Sequence, residues 1–162
     1  MEKLSRLQPV YGSPTVTAGN ASGIADGATA TILMKRSEAR KRGILPLGRI
    51  VTYAPICGEP RQSPVLPAVA IRKALSQTDL TLEDMKLVEI NEAFASMPLV
   101  SSLVLADGDR RKAEKIRERL NVNGGAIAIG HPIGATGALL LMNMLYELRR
   151  QGGGYGMVSI CG

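Results

Sequence analysis

Asn123-Gly124-Gly125-Ala126-Ile127-Ala128-Ile129-Gly130-His131-Pro132-Ile133-Gly134-Ala135-Thr136-Gly137 is the stretch on which the reading of this chain turns. It holds the sole histidine of the 162 residues, with glycines on both sides, and an apolar helical pattern follows from about Gly134 to Arg150. A glycine-rich turn that opens a helix lets backbone come close to a ligand and leaves free N–H groups pointing at it. Pro132 fixes its own φ and pushes His131 towards an extended conformation. The imidazole is thus expected on a stiff turn at the positive end of a helix dipole, which favours a neutral ring able to act as a base. Two readings stay open on these residues: a tight turn whose histidine caps or packs, and a ligand site. Ala138, Leu139, Leu140, Leu141, Met142, Met144 and Leu145 leave almost no polar face, so the helix is expected to be buried.

On the N-terminal side of this stretch, Lys86 to Ile90 reads as a strand, and Asn91-Glu92-Ala93-Phe94 stands where it gives way to a helix. Side chains at the carboxyl end of a strand in an α/β sheet are favoured for ligand contact, although a helix N-cap is the more ordinary reading of Asn91 by itself. That helix is expected from Glu92 to about Ala106, interrupted by Pro98, with a charged helix after it from about Asp109 to Leu120. On the C-terminal side, Gln151 to Gly154 form a turn and Tyr155 to Cys161 a final strand that ends on the cysteine.

The first half of the chain reads more loosely. Residues 1–14, broken by Pro9, Gly12 and Pro14, form an arm, and Thr15 to Ala28 pass from an extended piece into a turn rich in Gly, Asn and Ser. Thr29 to Met34 is expected as a buried strand, Ser37 as the cap of a helix ending before Gly43, and Leu47 to Tyr53 as a further strand. After a loop over 54–63, Ser63-Pro64 has the residues of a helix start, with Ile71, Ala74 and Leu75 on the inner face. Thr81 to Asp84 is a capped turn. Strands alternating with helices argue for a layered α/β fold.

Composition narrows the function classes. A net charge of +6 invites a nucleic-acid reading, and Lys35, Arg36, Arg40, Lys41 and Arg42, less Glu38, concentrate +4 in one short helix. One Phe, four Tyr and no Trp offer few stacking platforms, however, so that reading is weak, and a basic patch near a phosphorylated small molecule fits equally well. Cys57 and Cys161 form neither a disulfide framework nor, with one histidine, a zinc set, so no metal site is expected. No apolar run has the length of a membrane span and no signal-peptide pattern opens the chain, so the expected compartment is the cytoplasm, with no membrane partner.

Thr15-Val16-Thr17-Ala18-Gly19-Asn20-Ala21-Ser22-Gly23, Asn91-Glu92-Ala93-Phe94, Asn123 to Gly137, and Tyr155 to Gly162 occur here in the order and spacing of the thiolases. The resemblance runs from Leu4 to the end and implies the C-terminal half of a layered α-β-α-β-α fold. Residues 1–43 would complete the first thiolase-type domain and residues 44–162 form the second. It further implies an acyl-CoA C-acyltransferase that condenses two acyl-CoA molecules or cleaves a 3-ketoacyl-CoA with CoA. Coenzyme A thioesters are then substrates, and no further cofactor is implied. By the same resemblance His131 activates the nucleophile and donates to the thioester oxygen, Cys161 is the acid/base cysteine, and Asn91 holds a water that completes an oxyanion hole with His131. Ser22, Ala93 and Phe94 match positions lining the pantetheine tunnel. Donors aimed at a developing oxygen charge, and a thiol tuned as a base, are what carbanion chemistry beside a thioester requires.

The departures shape the expectation. Family members are more than twice this length, and their nucleophilic cysteine belongs to a preceding half, a role that Cys57 does not fill. A partner chain supplying that cysteine in a hetero-oligomer is therefore expected. A non-catalytic acyl-CoA-binding or scaffold subunit is the alternative. Arg61-Gln62-Ser63-Pro64 departs from the family's Met-Gly and Gly-Pro pattern, and the family's glycine-rich segment after the final cysteine is represented here by Gly162. A sterol-carrier-type thiolase is a close relative of this reading, but Asn91-Glu92-Ala93-Phe94 has the form of the ordinary branch.

Overall fold

The strands Met85–Ile90 (β1) and Tyr155–Ser159 (β2) run parallel, with Ile90 opposite Ser159. They come from a computed structural model that describes residues 2–161. The helices are α1 (Glu2–Ser5), α2 (Arg36–Lys41), α3 (Leu66–Leu75), α4 (Ser96–Leu105), α5 (Arg110–Arg117), α6 (Ala126–Ile129) and α7 (Thr136–Arg150), with short 3-10 turns at Pro60–Gln62 and Leu82–Asp84.

β1 is buried on both faces, as a strand between two helical layers must be. Val88 and Ile90 pack with Ile71 of α3 and Met97 of α4, while Leu87 turns the other way to Met144 and Leu148 of α7. An irregularity between Met85 and Leu87 shifts the register, and it lets Met85 join the Ile71 side. The pair is extended on its free side by a short parallel bridge at Leu120, where Val88 N–H donates to Arg119 O (2.9 Å) and Asn121 N–H to Val88 O (2.9 Å). α5 is capped by Asp109, whose carboxylate accepts from the N–H groups of Arg111 and Lys112, and its Ala113 and Ile116 pack with Ala106.

The α/β character and the thiolase-like layering are as expected, and several local expectations are corrected. Thr29 to Met34 and Leu47 to Tyr53 form no ladder: both are largely exposed, with Ile32 at 86% and Tyr53 at 79%. Burial still alternates over 51–56, where Thr52 Oγ1 donates to Gln77 and Pro55 O accepts from Lys73. The strand pattern is there, but no strand among the described residues pairs with it. Ser37 and Ser63 are not caps. Ser37 lies inside α2, whose N-cap Lys35 makes no side-chain bond, and Ser63 Oγ donates back to Pro60 O. Thr81 does cap its turn, in a reciprocal box with Asp84. α4 begins at Ser96 rather than Glu92, so Pro98 falls in its first turn, where the missing N–H is harmless, and interrupts nothing. Nor is α7 buried all round. Leu140, Met144 and Leu148 are covered, while Leu139, Leu141, Met142 and Leu145 are half-exposed and Tyr146 is 58% exposed, because one helical face has no layer against it.

Together with the exposed Leu45 (88%), Leu33 (73%) and Ile50 (58%), this face leaves large apolar side chains uncovered, as association surfaces do. The chain expressed by itself is expected to self-associate. Size-exclusion chromatography with light scattering checks this, and a stable, non-associating monomer would contradict it.

Candidate functional site

Four segments meet at the carboxyl ends of the two strands. Ile90 ends β1 with its backbone held by one side chain: Asn121 Oδ1 accepts from Ile90 N–H and Asn121 Nδ2 donates to Ile90 O, both at 2.9 Å. Asn121 adopts φ 48°, a conformation asparagine tolerates better than most residues, and its amide continues the ladder that Leu120 began. Its Nδ2 also donates to Glu92 Oε1 (3.0 Å), whose other oxygen accepts from Ile127 N–H (3.2 Å) at the start of α6. The Glu92 carboxylate lies where a Cβ on Gly125 would stand, 2.5 Å from Oε2, so a side chain there would expel it.

From α6 the chain turns at Gly130 (φ 91°), where a Cβ would strike Ala25 at 2.5 Å. His131 N–H then donates to Gly23 O (2.9 Å), and His131 forms a parallel bridge with Ile24. The Ser22 segment is tied in turn to the Asn91 loop. Ser22 N–H and Oγ both donate to Ala93 O (3.2 Å each), Ala95 N–H donates to Asn20 O (2.8 Å), and Ala21 bridges to Phe94.

Both nitrogens of the His131 ring are engaged. The Thr136 hydroxyl gives its single proton to Pro132 O (3.0 Å), so at 2.7 Å from His131 Nδ1 it can only accept. With the hydroxyl proton on Pro132 O, Nδ1 is the nitrogen that carries the ring proton and Nε2 faces Asn91 Nδ2 at 3.3 Å. The histidine is thus held at both ring nitrogens, with Nε2 facing Asn91. Asn91 is not a helix cap: it is 1% exposed, its N–H donates to Ser159 O (3.0 Å), and α4 starts five residues later.

Ser22, Ala93, Phe94 and His131 line one cleft, with Tyr11, Ile24 and Ile133 on its walls. Cys161 follows β2 two residues beyond Ser159, the residue bonded to Asn91, and is half-buried. It packs with the Ile71–Ile90 cluster and does not line that cleft, while Gly162 lies outside the described residues. Cys57 is exposed and far along the chain from these segments. No group of metal-ligating side chains occurs among the described residues, and no helix is long and apolar enough to cross a membrane.

Asn121, Glu92 and Thr136 were not singled out from sequence as positioning groups. Thr136 stood in plain view, five residues after His131 at the mouth of the helix. A further clamp is Glu147 of α7, which accepts from Arg150 (2.6 and 2.9 Å), Gln151 (2.5 Å) and Asn123 (3.2 Å). Hydrogen bonds from Arg150, then Gln151 and Asn123, hold its carboxyl at about 2.

Against this geometry the comparisons are unambiguous. A family profile described as Thiolase, C-terminal domain, matches residues 44–162, and Thiolase, N-terminal domain, matches residues 1–37. The chain belongs to the thiolase family. It is 43% identical over 162 residues to the acetyl-CoA acetyltransferase of Shinella zoogloeoides, a match covering 99% of this chain and 39% of that protein. The human mitochondrial 3-ketoacyl-CoA thiolase is likewise 43% identical over 162 residues. The crystal structure of the Bacillus anthracis acetyl-CoA acetyltransferase superposes with a TM-score of 0.89 at 43% identity, covering 99% of this chain and 39% of that one. The chain thus spans about two fifths of the length of the curated relatives it matches, 39% of the first.

Two expectations follow from the clamps. With Glu147 depressed from 4.5 to about 2, the stability it contributes is complete above 4.5 and is lost as pH falls towards 2. Glu147→Gln should lower the melting temperature at neutral pH and flatten its decline over that acid window, read by thermal unfolding across pH. Thr136→Val removes the acceptor at Nδ1, and ¹⁵N NMR of the lone imidazole should then report mixed tautomers where the parent has one.

Proposed function

We propose that this chain is a catalytic subunit of an acyl-CoA C-acyltransferase, which condenses two acyl-CoA molecules or cleaves a 3-ketoacyl-CoA with CoA. It works with a partner chain that brings the nucleophilic cysteine. The observation that carries the reading is the Asn91–His131 pair, 3.3 Å apart, with Nδ1 tied to Thr136. In the proposed reaction His131 Nε2 takes the proton from the partner's thiol, and the thiolate attacks the acyl carbonyl and expels CoA. Once Nε2 bears a proton it no longer accepts from Asn91. Nε2–H and the Asn91 amide are then two donors side by side, the amide acting directly or through a water. Fixed donors converging on one point stabilise the charge that develops on a thioester oxygen. Cys161, as a thiolate, would move the proton at the α-carbon of the second acyl group, and Ser22, Ala93 and Phe94 would border the pantetheine arm. Coenzyme A thioesters serve as substrates with no other cofactor, and cytoplasmic placement is part of the same proposal.

The packing of Cys161 among Ile71 and Ile90 rather than in the cleft favours one rival, a subunit that binds acyl-CoA without turnover. Reconstitution decides between them. Co-expression with an N-terminal thiolase-half chain should yield acetoacetyl-CoA thiolysis. His131→Ala should then lower kcat by about 10²–10⁴-fold and Asn91→Ala by about 10²–10³-fold. Cys161→Ala should abolish condensation. CoA-dependent stabilisation without turnover in any complex, or activity indifferent to His131→Ala, would overturn the proposal.

A further inference from the structure

Glu89 is the one carboxylate on β1, and the chemistry proposed above leaves it without a task. It is 1% exposed and its Oε2 has no hydrogen-bond partner. Asn91, two residues on, is also 1% exposed, and its Oδ1 is likewise without a partner. Alternate strand positions share a face, so these side chains stand about 7 Å apart along the backbone on the face that Leu87 turns to α7. Ile90, between them, packs into the opposite cluster. Two buried acceptors without partners at alternate positions of one face form a costly arrangement that a single proton relieves, because a neutral carboxyl carries an O–H.

We propose that Glu89 is a positioning residue: as a neutral acid it donates to Asn91 Oδ1, directly or through one water, and so holds the amide with Nδ2 on His131 Nε2. An Asn91 amide turned over would set Oδ1 against the Nε2 lone pair, and the ring would have to move its proton from Nδ1 to Nε2. Glu89 thereby acts through Asn91 on the tautomer of the histidine. Its surroundings suit the acid form. Burial, and then the charge of Glu92, push the carboxyl up to about 7. Of the other titratable groups on the elements packed around it, Tyr155 lies on β2, Tyr146, Glu147, Arg149 and Arg150 on α7, and Arg119 and His131 in the flanking segments. Among the described residues none of the cations pairs with it; Arg150 is taken by Glu147.

The inference rests on His131 and Asn91 being the working pair, but its test reads the imidazole without turnover, so it can fail while the acyltransferase reading stands. His131 is the sole histidine, so its two nitrogens are the only imidazole signals in a ¹⁵N-histidine-labelled chain. The chain is prepared with a histidine-free tag together with any subunit that purifies with it. Nε2 should be of the unprotonated type in the parent and in Glu89→Gln, whose amide can still donate to Asn91. In Glu89→Leu the Nε2 signal should move towards the protonated type as Nδ1 moves the other way. Should Glu89→Leu not fold, raising the pH from 7 to 9 should shift these signals in the parent, by ionising Glu89, and leave Glu89→Gln unmoved. Parent-like nitrogens in a folded Glu89→Leu, a Glu89→Gln that behaves as the leucine variant, or identical responses of parent and Glu89→Gln from pH 7 to 9 would overturn the proposal.

Discussion

Parallel pairing of Met85–Ile90 with Tyr155–Ser159 is the constraint on which the rest depends. It delivers Asn91 and Cys161 to the same end of the sheet from segments some seventy residues apart in sequence, with Asn91 N–H bonded to Ser159 O. A parallel pair needs helices on both faces, and α3 with α4 on one side and α7 on the other provide them. Because α7 both covers β1 and starts just after His131, the packing that buries the strand also sets where the imidazole stands.

The histidine is then held by short links rather than by one strong interaction. Its N–H is on Gly23, its Nδ1 on Thr136 and its Nε2 on Asn91. The loop that delivers it is pinned by Asn121, which grips the end of β1, and by Glu92, which ties Asn121 to the start of α6. Individually such bonds contribute modestly, about 1 kcal/mol each. Together they leave the ring one orientation, with Nε2 towards Asn91.

Much of this was legible in the residues. The turn around His131, the strand before Asn91 and the final strand were readable because each combines a local hydrophobic pattern with glycine or proline punctuation. Thr29 to Met34 and Leu47 to Tyr53 were misread as formed strands. Their apolar content is real, but a strand is a relationship with a partner, and none of the described residues supplies it. The same lack leaves half of α7 uncovered, although its composition called for burial all round. Asn91 could not be separated from a helix cap by spacing alone, since the decision lay in where α4 begins. Thr136, Asn121 and Glu92 escaped notice because their roles consist of contacts to groups distant in sequence or to a ring nitrogen, which no periodicity reports.

The half-covered α7 and the exposed apolar side chains are the surface that the proposed partner chain would cover. In the proposed enzyme another polypeptide forms the other side of the site. Native mass spectrometry of the chain purified gently from its host tests this most directly. The expected result is a hetero-assembly with a second chain of thiolase type that carries a cysteine acylated by acetyl-CoA. An assembly made only of copies of this polypeptide would contradict it.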